Sequence, residues 1–154
     1  MPCLTSKYFG ELSYASDAVF EFPCGIPGFE HHSVFVFLEQ HHTQPLVFMQ
    51  SLQDPGLCFI AVPVKVVEPG YEPELSSEDR AAVQLAPDLP IEIGREVLCL
   101  ALVTVSEDSD PTANLASPIV LNLSKRIGIQ AVSESSQYSR RHPLVADTEL
   151  VPCS

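Results

Sequence analysis

Four of the five histidines stand in adjacent pairs, His31-His32 and His41-His42, and paired imidazoles raise zinc coordination first. The residues between the pairs read as a strand over 33–40, which at ~3.3 Å per residue holds the pairs about 25 Å apart. Within each pair, neighbouring side chains of an extended chain point to opposite faces. Neither arrangement closes a metal site, so the histidines read as exposed loop residues and no metal is expected. Glu72 and Glu74 have the spacing of an acid–base carboxylate pair, but Tyr71 before them and Pro73 between them suggest an exposed loop. The five cysteines include no CxxC pair, and their odd count and irregular spacing argue against a disulfide framework. Cys58 and Cys99 lie inside apolar runs, where a thiol acts as a small core hydrophobe, and nothing beside Cys24 would lower its pKa. Gly-x-Ser-x-Gly, His-Glu-x-x-His, Gly-x-Gly-x-x-Gly and the P-loop are absent. No nucleophile–base pair emerges; the expectation is a protein that is not an enzyme and carries no cofactor.

The elements that must position these residues are short. Fourteen prolines spread from Pro2 to Pro152 leave few helix-length windows, because an interior proline costs ~3 kcal/mol there. Runs rich in Val, Ile, Phe and Leu occupy 18–22, 34–38, 46–49, 58–62, 97–105, 119–123 and 127–132, with a further strand expected over 5–12 containing Tyr8 and Phe9. Turn formers separate them, among them Ile26-Pro27-Gly28, Asp54-Pro55-Gly56 and Glu68-Pro69-Gly70. That rhythm predicts an all-β sandwich or barrel. The run at 97–105 is apolar on both faces and belongs in the middle of the core, whereas 127–132 alternates, predicting one wet face. A single helix is expected over 76–85, capped by Ser76, with Glu78 and Asp79 in its first turn and Pro87 ending it.

The chain has 154 residues, one domain by length, with 45% apolar residues and enough bulk for a core without staples. Residues 1–144 read as that domain and 145–154 as a flexible tail. The longest apolar run, Val97-Leu98-Cys99-Leu100-Ala101-Leu102-Val103, falls far short of the ~18 residues of a membrane span. The first residues lack a signal-peptide pattern, so the expected location is the cytoplasm. Eight basic and 20 acidic side chains give a formal charge of −12. The segment 68–110 is the most acidic, with Arg80 and Arg95 its sole basic residues, while 124–142 is basic through Lys125, Arg126, Arg140 and Arg141. Such a field repels phosphate backbones, so no direct nucleic-acid binding is expected, and it draws in a basic protein partner. It also serves as a solvated surface that keeps a small protein soluble.

Several stretches are more particular than turn chemistry. They are Tyr8-Phe9-Gly10-Glu11-Leu12, Phe22-Pro23-Cys24-Gly25-Ile26-Pro27-Gly28-Phe29-Glu30, Gln50-Ser51-Leu52-Gln53-Asp54-Pro55 with Phe59, and Tyr71-Glu72-Pro73-Glu74-Leu75. Thr112-Ala113-Asn114-Leu115, Pro118-Ile119-Val120-Leu121-Asn122, Gly128-Ile129-Gln130 and Tyr138-Ser139-Arg140-Arg141-His142-Pro143-Leu144 follow in order. Together they resemble the flagellar assembly factor FliW family over roughly residues 5–144. Cys24, at a position often acidic in that family, and Ala116-Ser117, in place of a Leu-Ala pair, depart from the pattern. The resemblance implies a small, mainly antiparallel, partly closed β-barrel with one short helix. It also implies partners: flagellin and, alternatively, the translational regulator CsrA, whose repression of flagellin synthesis such a protein antagonises. A different reading is a small β-barrel ligand-binding or catalytic domain that shares only the fold; a deep apolar pocket with converging polar groups would mark it.

Binding residues are sought on loops held by a rigid frame. The two most distinctive loops are 54–59 and 71–75, and the candidates are Asp54, Phe59, Tyr71, Glu72, Glu74 and Asn114. Tyr71 reads either as an interface anchor or as a turn tyrosine packed over the short helix. Phe59, between Cys58 and Ile60, reads as core or contact, and Asn114 as a contact or a turn-closing side chain before Pro118. The cluster Arg140-Arg141-His142 reads as a contact for an acidic partner or as a counter-charge to the chain's own acids.

Overall fold

The computed structural model of the chain describes residues 2–86, 91–132 and 137–144. In chain order the strands are β1 (Cys3–Ser6), β2 (Gly10–Ser13), β3 (Val19–Glu21), β4 (Val34–Glu39), β5 (Val47–Ser51) and β6 (Cys58–Pro63). Two helices follow, α1 (Val64–Val67) and α2 (Ser77–Ala82), then β7 (Val97–Thr104), β8 (Thr112–Ala113), β9 (Ile119–Asn122), β10 (Ile127–Gln130) and β11 (His142–Pro143). Seven of them form a ring, β7-β6-β5-β4-β3-β10-β9, and β9 returns to pair with β7. Each apolar run becomes a ring strand because closure pairs every inner backbone group and leaves no edge. All joints of the ring are antiparallel except β3–β10, which is parallel and rests on one register pair, Ile127 opposite Glu21, extended by the Glu21 amide donating to the Arg126 carbonyl at 3.0 Å. The expected small, mainly antiparallel barrel therefore forms, with a thin seam.

Alternation along the strands builds two cores. On β7, Leu100 joins the cluster of Phe22, Phe35, Met49 and Ile119, which draws on strands all round the ring and fills its lumen. Val97, Cys99 and Ala101, on the other face of β7, join Val64, Tyr71, Val83, Val120 and Ile129 outside the ring. The expectation for 97–105 holds: both faces are buried because the helices and the 71–75 loop cover the outside. The same cover overturns the wet face expected on 127–132, since Gly128 and Ile129 are both buried. Gly128 has a further duty. A Cβ there would lie 2.6 Å from the Phe22 ring and 2.7 Å from a Leu121 methyl, so the bare backbone is what lets these side chains close over β10.

Other departures have local causes. The expected strand over 5–12 is a hairpin, β1 and β2 paired from Cys3–Ser13 to Ser6–Gly10, with Tyr8 and Phe9 at its turn and Gly10 at φ +71°. A second helical turn, α1, follows Pro63, whose fixed φ suits a helix start. The expected helix is α2: the Ser76 side chain accepts from the Asp79 amide at 3.0 Å, as a cap should. It stops at Gln84, not through a proline. Gln84 has φ 58°, its amide reaches the Ala81 carbonyl and that of Leu85 the Arg80 carbonyl, the bond pattern of a left-handed helix terminus. Pro87, and the tail expected at 145–154, lie outside the described residues.

Candidate functional site

The loop after β5 is shaped by one buried carboxamide. Gln50 is wholly buried; its Oε1 accepts from Ser6 Oγ at 2.8 Å and its Nε2 faces the carbonyls of Ser51, Asp54, Pro55 and Leu57 at 3.0–3.4 Å. Ser51 Oγ accepts from the Gln53 and Asp54 amides, and the Asp54 carboxylate from that of Gly56 at 2.8 Å. The β1–β2 turn is tied to this loop, Lys7 donating its amide to Pro55 and Tyr8 its hydroxyl to Gly56. A matching turn over 22–30 depends on Gly25, with φ +68° and a would-be Cβ 2.8 Å from the Glu30 backbone. Beside it the Gly28 amide donates to the Glu30 carboxylate at 3.0 Å, a bond that holds this carboxyl below its usual range.

Tyr71 sits in the outer core, 4% exposed. Its hydroxyl donates to the Leu115 carbonyl at 2.7 Å and its ring stacks on Tyr138 at 4.3 Å. Burial raises its ionisation far above the ordinary tyrosine range. The ring is thus packing, the second of the two sequence readings, and the loop's contact surface is its acids. Glu72 and Glu74 are exposed; the Glu72 amide donates to the Tyr138 hydroxyl at 2.9 Å and the Glu74 carboxylate accepts from the Gln137 amide at 3.4 Å. Asn114 closes its turn as read, its Oδ1 accepting from the Ser117 amide at 3.0 Å, while the neighbouring Leu115 amide donates to Ser139. Tyr71, Glu72, Glu74 and Asn114 therefore gather around the segment 137–139. Asp54 stands apart with the β1–β2 hairpin.

Phe59 is half-buried: it packs on the lumen side against Phe35 at 6.0 Å and, outward, edge-on against Phe29 at 5.1 Å. Two open clefts flank these residues. One of about 470 Å³ is lined by Lys65, Tyr71, Glu72, Arg80 and Glu92. The other, about 590 Å³, runs along Phe59, Leu102, Val103, Asn114, Arg140 and Arg141. The lumen itself is filled by side chains, Phe22, Phe35 and Met49 being fully buried. Burial also pushes the Cys58 thiol up to about 11 and that of Cys99 up to about 12, away from the thiolate that nucleophilic chemistry uses. Among the described residues no group of three or more His, Cys, Asp or Glu is placed to hold a metal ion, and no helix is long and apolar enough to cross a membrane. Arg140 and Arg141 form no ion pair among the described residues, where Arg95–Glu92 at 3.4 Å is the single salt bridge; the counter-charge reading of that cluster is not what forms there. Sequence reasoning missed Phe29 as the partner of Phe59 and the part played by Tyr138. The Tyr138 motif was visible, its contact with Tyr71 across the chain was not.

The family model described as "FliW protein" matches residues 3–144. The flagellar assembly factor FliW of Natranaerobius thermophilus is 32% identical over 146 residues, covering 94% of this chain and 93% of that protein. Those of Desulfitobacterium hafniense strain Y51 and Thermotoga maritima are 33% and 32% identical, over 95% and 91% of this chain and 93% and 91% of their own lengths. A crystal structure of the flagellar assembly factor FliW superposes with a TM-score of 0.77 at 31% identity, over 93% of this chain and 96% of that one.

Proposed function

The chain belongs to the FliW family and is a flagellar assembly factor, and from that premise we propose that it works by binding alone, holding flagellin or, alternatively, the translational regulator CsrA. Held flagellin frees CsrA to repress flagellin synthesis; as flagellin is exported, the freed protein takes up CsrA and relieves the repression. Both partners are made in the cytoplasm, which is where the exchange takes place. Physically this is a pair of competing equilibria, and the switch is as sharp as the difference between the two affinities and the partner concentrations allow. The observation that carries the reading is the family match across residues 3–144. A filled lumen with acidic loops outside supports a binding module over a ligand-binding or catalytic barrel.

CsrA must be basic enough to hold RNA, so the exposed acids Glu72, Glu74, Glu78, Glu92 and Glu96 steer it to this protein and set negative charge beside the path of the RNA. Glu72 and Glu74 are the contacts we assign to that encounter, with Asp54, Phe59 and Asn114 on neighbouring loops. Tyr71 contributes by holding the 71–75 loop in shape. Calorimetric titration of each partner into the protein tests the reading: each should bind, and one should displace the other. Heat from neither would end it. The double variant Glu72→Lys with Glu74→Lys should weaken CsrA about tenfold at low salt; if antagonism of CsrA–RNA binding is as strong at high salt as at low, charge is not its cause.

A further inference from the structure

An aromatic column runs from the lumen to the surface at one end of the barrel. Phe35 is fully buried, Phe59 half-buried beside it, and Phe29, edge-on to Phe59, is 40% exposed. Leu102 continues the apolar line on β7, two residues past the lumen-facing Leu100, and the exposed Val105 lies just beyond the strand. The groove of about 590 Å³ opens here. Its far wall is the β7–β8–β11 corner, where Val103 pairs with Ala113 and Ala113 with His142, and where Arg140 and Arg141 are exposed, without an ion pair among the described residues. Asp110 also lines the groove, and Glu107 and Asp108 stand on the loop leading to it. Two adjacent, unneutralised guanidiniums on the wall of an apolar groove are out of character for a chain of charge −12.

We propose that this groove docks a protein segment whose apolar side chains lie along Phe59, Leu102 and Val103 and whose carboxylates pair with Arg140 and Arg141. Guanidinium forks bind carboxylates in two parallel hydrogen bonds, and partly exposed aromatics beside them are the usual anchor points of an interface. The arginines are needed because the rest of the surface repels acidic chains; they turn a generally hostile field into local selection for one acidic stretch. The groove is a different surface from the Glu72–Glu74 loop that should meet a basic partner, so opposite charge sorts the two encounters. Its occupant is set by the groove's own chemistry, whichever partner carries the segment.

The test uses the full chain, two short synthetic peptides and backbone amide NMR. One peptide carries leucines at alternate positions and ends in two glutamates; the other ends in two lysines. The glutamate peptide should shift the amides of Val103, Thr104, Thr112 and Arg141 and bind about tenfold more tightly than the lysine peptide. The surface variant Arg140→Glu with Arg141→Glu, checked for an unchanged spectrum elsewhere, should reverse that preference. Absence of shifts in the groove, equal binding of the two peptides, or an unaltered preference in the variant would each overturn the proposal. Titration of flagellin and CsrA into the same variant reads the partner exchange separately: loss of one partner with retention of the other places the segment. Binding of neither partner by the unmodified chain defeats the partner assignment and leaves the peptide result to decide the groove.

Discussion

Removing the Gln50 carboxamide would strand Ser6 Oγ and the carbonyls of Ser51, Asp54, Pro55 and Leu57 together. Gln50→Leu, close in volume, should therefore lower unfolding stability by about 3 kcal/mol, read as a fall in the urea midpoint, with faster hydrogen exchange in the β1–β2 hairpin that it releases. Gln50 was legible as part of a motif but not as a hub, because its partners are defined only once the chain has turned back on itself. Asn122 behaves alike: its Nδ2 donates to the Val83 carbonyl at 2.7 Å and its Oδ1 accepts from Ser124 and Lys125. The buried thiols give a pH signature. Cys99 is pushed up to about 12 and Cys58 to about 11 from an ordinary 9.0, in both cases by burial. Folding thus favours their protonated forms, and the unfolded thiols ionise first. This contribution is complete below pH 9 and is lost as pH rises from 9 towards 12. Urea midpoints should fall over that window, and less steeply in Cys99→Ala. In native protein, maleimide should label the exposed Cys24 rapidly and Cys99 only after unfolding.

At the scale of elements, the end of α2 offers a gain in stability. Gln84 occupies a left-handed position at φ 58° and is exposed, where a side chain costs about 1 kcal/mol relative to glycine. Gln84→Gly should raise the melting temperature by a few degrees without touching the binding loops, by differential scanning calorimetry. The helix start was readable from Ser76, Glu78 and Asp79 because a cap is a local device. Its end was not, since Gln84 carries no glycine signal. Ring strands were legible wherever burial on one or both faces forced an apolar run, as at 34–38 and 97–105. The strands β8 and β11 have two residues each and no period to read. At β10 the alternation was present but misleading, because a second layer covers the face that a lone sheet would leave in water. The groove was illegible for a related reason: Phe29, Phe59, Leu102 and Arg140 come from four distant stretches, and Arg140-Arg141 stood out merely as a basic pair.

For the molecule as a whole, a charge of −12 with one exposed salt bridge among the described residues means self-repulsion in the compact state. Moderate sodium chloride should therefore raise the melting temperature by screening it, while slowing the association of a basic partner; a melting temperature that falls with salt would contradict this balance. The seam between β3 and β10 has a consequence in time. It joins residues near the start of the chain, Val19–Glu21, to Ile127 near its end, so a polypeptide still emerging from the ribosome holds an open ribbon, not a ring. Staves β9 and β10 arrive last, and Arg140 and Arg141 later still. A half-made copy thus presents neither a finished mouth nor a complete groove, and titrates no one: the molecule enters the cell's count of available binding sites only when translation has run almost to its stop codon.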